Sequence, residues 1–202
     1  QAIYVPVKVD ENELEDFENI KEKYNIKENE YYYTVCSMHK HKNLITLIKV
    51  MKEIKDKKIN IPNKLVISGV GGPNKENLLK EIQELGIEDN IIITPFVSDA
   101  EKNTLIKNCN IFLFPSIFEG FGIPPVEAME LGARVITTKC TSLPEVTQGK
   151  CNYVDDALNV QDWINEMKKV QTIKPEKFTF NEYDNITIAR KYLDLFYEIM
   201  NK

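Results

Sequence analysis

The chain has 202 residues, enough to bury a core without disulfide or metal staples and suited to one domain or two small ones. Hydrophobic residues at 43% and charged residues at 28% exclude a disordered chain. The formal net charge of −5 offers no global positive field to nucleic acid, and no apolar run approaches the roughly 20 residues that span a bilayer. The chain opens at Gln1 without an initiator Met and reads as a piece of something longer. Charge is uneven: Asp10 to Glu18 is acidic, and Lys40 to Lys64 is lysine-rich. Such runs mark solvated helix faces, or a single lysine that reaches a phosphate. Cys36, Cys109, Cys140 and Cys151 form no Cys-x-x-Cys pair and read as buried free thiols of a reducing compartment. Cys36, His39 and His41 have the wrong spacing for a standard zinc site, so no metal is expected.

In chain order, Tyr31–Cys36 reads as a strand, aromatic and β-branched. Leu44, Leu47, Ile48, Met51 and Ile54 fall on one helical face, with Asn43 as N-cap. Lys64–Ser68 is the next strand, ending in the turn Gly69-Val-Gly-Gly-Pro73. A helix from Lys75 to Leu85 stops at Gly86. Asn90–Thr94 is a third strand, and Ser98-Asp-Ala-Glu101 is a capping box opening a helix to Asn108. Ile111–Phe114 is a fourth strand. Pro124 and Pro125 suit the first turn of a helix that runs to Leu131 and ends at Gly132. Arg134–Thr137 is a fifth strand and Cys151–Val154 a sixth. Amphipathic helices follow at Gln161–Val170 and Glu182–Met200, the latter with Ile188, Tyr192, Leu195, Phe196 and Ile199 facing inward. Thr172–Phe180 is the linker between them.

Alternating strands and helices predict βαβ crossovers and a parallel sheet. The strands are continuous apolar runs, so helices should cover both faces. The expected fold is α/β, a doubly wound Rossmann-like sheet, with residues 31–156 as core and 159–202 as closing helices of one domain. Ligands of such sheets bind at the C-terminal strand ends, in the turns leading into helices.

Three turns carry candidates. The turn after the first strand, with Ser37, delivers Lys42 to a helix mouth, where it is a surface lysine or a phosphate partner. Gly69-x-Gly71-Gly72 is a tight turn or part of a dinucleotide fingerprint with Asn74 at its third glycine position. The turn after the fourth strand, Pro115-Ser-Ile-Phe-Glu119-Gly-Phe-Gly122-Ile-Pro-Pro-Val-Glu127, places two carboxylates eight positions apart. Gly120 and Gly122 let a ligand approach the backbone. N–H groups at Phe121, Gly122 and Ile123 lie beside the positive end of a helix. An ionised carboxylate only accepts hydrogen bonds and can clasp a vicinal diol. Glu119 and Glu127 thus suit sugar hydroxyls beside a diphosphate; read singly, they are a solvated side chain and a helix stabiliser.

Pro115-Ser116 … Glu119-Gly-Phe-Gly-Ile-Pro-x-x-Glu127-Ala-Met-x-x-Gly132 resembles the Glu-x7-Glu motif of retaining glycosyltransferases of family 4 (glycosyl transferases group 1), which have the GT-B fold. Val35-Cys-Ser-Met-x-x-x-Lys42-Asn43-Leu, Phe96-Val97-Ser98-Asp99 and Ser142-Leu-Pro-Glu145-Val resemble further segments of that family in the same order. The resemblance implies the C-terminal, donor-binding half of a GT-B enzyme. Glu127 would bind ribose hydroxyls, Glu119 the donor sugar, Lys42 the diphosphate, the backbone of Phe121 to Ile123 sugar and phosphates, and the backbone near Val97 the base. It implies a UDP- or GDP-sugar substrate without cofactor or metal. The acceptor, a glycan or lipid-linked hydroxyl, would be bound by an N-terminal domain absent from this chain. The isolated domain would then be inactive and the full protein cytoplasmic, with any membrane docking through the acceptor half. Many members carry glycine and arginine where this chain has Cys36 and Ser37, which leaves Lys42 as the cation of that turn. The alternative is a non-catalytic nucleotide-binding or scaffolding subunit that completes a separate acceptor polypeptide.

Overall fold

Successive strand residues point to opposite sheet faces, and here both sides are buried. In the computed structural model, which describes residues 2–72 and 75–201, one sheet contains β1 (Tyr32–Val35), β2 (Leu65–Ser68), β3 (Ile91–Ile93), β4 (Ile111–Phe114), β5 (Val135–Thr138) and β6 (Asn152–Val154). The order is β3-β2-β1-β4-β5-β6, and every neighbouring pair is parallel. Tyr32 pairs with Leu65 on one side and Ile111 on the other. The sheet is the doubly wound one expected. The chain winds outward from β1 to β3, then returns to lay β4 against the free side of β1, so winding reverses between β1 and β4. Pro73 and Asn74, which end the glycine turn after β2, lie outside the described residues.

Tyr32, Leu65, Ile67, Ile111, Leu113 and Ile136 face a core closed by α2 (Leu44–Asp56), α3 (Lys75–Glu84) and α7 (Val160–Val170). Tyr31, Tyr33, Val66, Phe112, Phe114 and Val135 face a second core, closed by α1 (Phe17–Tyr24), α4 (Asp99–Asn108), α5 (Ile123–Glu130) and α6 (Leu143–Val146). Trp163 of α7 is fully buried, and its indole N–H donates to the Ala157 carbonyl at 3.0 Å.

Helix α1 is not among the elements expected from the sequence. Its signal is Asp16, whose carboxylate accepts from the Glu18 N–H, ahead of an apolar stripe at Phe17, Ile20 and Tyr24. Ser98 caps α4 as expected, its Oγ accepting from the Glu101 N–H at 3.0 Å. Glu101 does not complete the box. It is buried and takes Lys23 Nζ at 2.7 Å and the Tyr24 hydroxyl at 2.6 Å, tying α1 to α4. Cys36 and Cys109 are buried free thiols, while Cys140 and Cys151 are half-buried.

The last helix departs most from expectation. α8 runs Asn185–Met200, with Asp184 capping the Ile186 and Thr187 N–H groups; Glu182 lies in the short turn before it. Only Ile188 of the predicted inner face is buried. Leu195 is half-buried, and Tyr192, Phe196 and Ile199 are exposed. The apolar period is real, but no other described element lies over that face. Among the described residues no helix is long and apolar enough to cross a membrane.

Candidate functional site

The winding reversal opens a crevice between the C-terminal ends of β1 and β4, and two predicted side chains meet there. A short turn at Lys40–Lys42 follows β1, and Lys42 sends its Nζ to Glu119 Oε1 at 2.6 Å. Both side chains are largely covered, 20% and 11% exposed. Lys42 Nζ also lies 5.5 Å from the centre of the Phe114 ring at the end of β4.

The two loops are fastened by their backbones. The Ile117 N–H donates to the His41 carbonyl at 2.8 Å, and the Ser116 hydroxyl reaches the same oxygen at 3.0 Å. Asn43 is the residue before α2, but it does not cap the helix with its side chain. At φ +52° it turns its amide outward to donate to the Pro115 and Ala157 carbonyls, at 3.2 and 2.9 Å, while its Oδ1 accepts from Thr46 Oγ1. The asparagine is thus a loop tie rather than the cap expected of it. Ser37 is half-buried in the loop after β1.

Beyond Glu119 the chain passes Gly120, which is exposed, and half-buried Phe121 to Gly122. Gly122 has φ +100°, and a Cβ there would lie 2.6 Å from Leu143 Cδ2, so both backbone and space require glycine. α5 starts at Ile123 with no side-chain cap from Gly122, and Pro124 and Pro125 occupy its first turn as predicted.

Glu127 stands one turn into α5 and is almost fully buried. Its partner is Lys102, in the first turn of α4, whose Nζ lies 3.0 and 3.1 Å from its two carboxylate oxygens. Lys102 also reaches Asp99 at 3.1 Å. Burial disfavours the charged lysine, but Glu127 and Asp99 outweigh it and hold its pKa above the ordinary value. Lys102 was missed from the sequence. A lysine four residues after a helix cap has no local mark; its significance appears only when α4 and α5 pack together. Val97 is half-buried in the same β3–α4 loop, and neighbouring Phe96 is almost fully exposed. A small cavity of ≈ 110 Å³ is lined by Lys102 and Glu127 together with Lys8, Asp10 and Glu13 of the N-terminal stretch.

The site therefore offers two lysine–carboxylate pairs, both partly shielded from water. A larger cavity of ≈ 520 Å³ opens between the starts of α2 and α3, lined by Met38, His39, Asn43, Leu44 and Leu78. Its lining includes neither pair. The ion pairs, one at the winding reversal and one between α4 and α5, are the stronger guide to function.

Residues 16–184 match the family described as glycosyl transferases group 1. The chain is 30% identical over 159 residues to the serotype-specific mannosyltransferase WbdA of Escherichia coli, covering 78% of this chain and 19% of that one. It is 29% identical over 168 residues to the O-antigen chain mannosyltransferase RfbU of Salmonella typhimurium, covering 83% of this chain and 44% of that one. The chain thus spans less than half the length of these relatives. The fold superposes on Anabaena Alr3699/HepE, solved in complex with UDP and glucose, with a TM-score of 0.75 at 16% identity, over 98% of this chain and 57% of that one. A glycosyltransferase from Rickettsia africae gives 0.73 at 21% identity, over 98% and 56%. With the family model matched from Asp16 to Asp184, this chain belongs to the glycosyl transferases group 1 family.

Proposed function

We propose that this chain is the donor-binding part of a retaining glycosyltransferase, which moves a sugar from a UDP- or GDP-sugar to a hydroxyl of a glycan or lipid-linked acceptor. The observation that carries the reading is the Lys42–Glu119 pair at the winding reversal of a family fold. A diphosphate offers Lys42 a stronger partner than one carboxylate, and donor-sugar hydroxyls offer Glu119 donors in exchange. Binding thus replaces one ion pair by two charge-assisted sets of contacts. Glu127 takes the ribose hydroxyls beside Lys102. The backbone of Phe121 to Ile123 at the start of α5 faces sugar and phosphates, with Gly120 and Gly122 allowing close approach. Ser37 lies beside the phosphates, and the backbone at Val97 reads the base. Lys42 and the positive end of α5 stabilise the departing diphosphate by fixed charge, so no metal is required.

The relatives' names support sugar transfer, and the complex of Alr3699/HepE with UDP and glucose supports a nucleotide-sugar donor. The acceptor is held by a second domain outside these 202 residues, so the chain alone does not turn over. Calorimetric titration with UDP, GDP, UDP-glucose and GDP-mannose tests the reading. Glu127→Ala should weaken nucleoside diphosphate binding by about 10- to 100-fold, the worth of one charge-assisted contact. Unchanged affinity sinks the ribose assignment, and no binding of any of the four by the folded chain sinks the function.

A further inference from the structure

We propose that Thr141 is a positioning residue, holding Glu119 in the pose that grips the donor sugar; the inference rests on the reading of the site just given. Thr141 has φ +48°. Among the described non-glycine residues with positive φ, the others are three asparagines, a lysine and a glutamine, and Thr141 alone is β-branched. A branched side chain in the left-handed region is strained, and persists where its surroundings over-determine it.

The strained conformation puts the Thr141 hydroxyl on the peptide of Glu119. Oγ1 accepts from the Glu119 N–H at 2.9 Å and donates to the Glu119 carbonyl at 2.9 Å. One hydroxyl therefore closes both backbone groups of the residue whose carboxylate meets Lys42. Ser142 adds to the tie, its Oγ lying 3.1 Å from the Glu119 carbonyl and 2.9 Å from that of Phe121. The loop after β5 thus holds the loop after β4 at its functional residue.

The consequence follows from where Glu119 is held. Its carboxylate is anchored by Lys42 and its backbone by Thr141. When a diphosphate draws Lys42 away, the anchor at the tip weakens and the anchor at the base remains. Thr141 is then what keeps the carboxylate aimed at the sugar, an orientation already set before the ligand arrives. The effect belongs to the sugar, not the nucleotide, because Glu119 faces only the former.

Thr141→Ala and Thr141→Ser in the full 202-residue chain test this, with binding of a nucleoside diphosphate and of its sugar derivative (UDP against UDP-glucose, GDP against GDP-mannose) measured beside hydrogen exchange of the Glu119 amide. Thr141→Ala should leave diphosphate affinity within about 2-fold, weaken the nucleotide sugar about 10-fold, as loss of two hydrogen bonds implies, and speed exchange at Glu119. Thr141→Ser keeps the hydroxyl and should restore both. Equal loss for nucleotide and nucleotide sugar, or failure of serine to rescue, overturns the inference. Unchanged nucleotide-sugar affinity in Thr141→Ala with a fast Glu119 amide defeats it alone, whereas no nucleotide-sugar binding by the unaltered chain defeats it together with the functional reading.

Discussion

Replacing Lys102 with Met keeps most of the side-chain volume and strands the Glu127 carboxylate. At the 3.0 Å contact, with an effective dielectric constant of about 20, the Coulomb attraction is about 5 kcal/mol. Desolvating two side chains that are 15% and 11% exposed offsets several kcal/mol of it. The cost of breaking the pair lies below the 3–5 kcal/mol typical of fully buried pairs, because the adjoining cavity opens the orphaned charge to solvent, and is about 2 kcal/mol. Urea unfolding followed by circular dichroism at pH 7 measures it. The double variant Lys102→Met, Glu127→Gln should recover most of the loss at pH 7. A deficit below about 0.5 kcal/mol at pH 7, as for an exposed pair, or no recovery in the double variant, refutes the reasoning.

Gly122→Ala should destabilise the chain by about 2–4 kcal/mol in the same assay, since φ +100° strains an L side chain and its Cβ meets Leu143 Cδ2 at 2.6 Å; a loss below about 0.5 kcal/mol contradicts the packing described. Burial, helped by the charge of Glu127, raises the pKa of Glu130, although a backbone hydrogen bond from Phe180 and the charge of Lys177 oppose it. A carboxyl raised in the folded state costs stability above its folded pKa, and that cost disappears as pH falls. Glu130→Gln should therefore raise the unfolding midpoint at pH 7 and lose the advantage towards pH 4; a gain that grows on acidification argues against it.

The strands were legible because each is a short apolar run between turn residues, and a sheet covered on both faces needs no finer pattern. Their ends moved by at most one residue: Lys64–Ser68 became Leu65–Ser68, and Arg134–Thr137 became Val135–Thr138. α8 was misread for a physical reason. An apolar stripe such as Tyr192, Phe196 and Ile199 shows that a helix has a face to cover, but not that anything among these residues covers it. Asn43 and Glu101 were assigned local capping partners that sequence spacing favours; long-range partners, Pro115 and Ala157 for one, Lys23 and Tyr24 for the other, took their side chains instead.

By itself the sequence determined the parallel sheet, through its alternation of apolar runs and helical periods, and it marked Lys42, Glu119 and Glu127 as chemistry-bearing residues in turns. Those are properties of neighbours along the chain, set by backbone geometry and residue type. Only the tertiary structure decided which charges meet. Lys42 and Glu119 are 77 residues apart, and Lys102 and Glu127 are 25 apart; each pair exists because crossovers bring separate strand ends or helices together. The strained Thr141 hydroxyl on the Glu119 peptide belongs to the same class. Its conformation is unfavourable locally, and the packed loops hold it there.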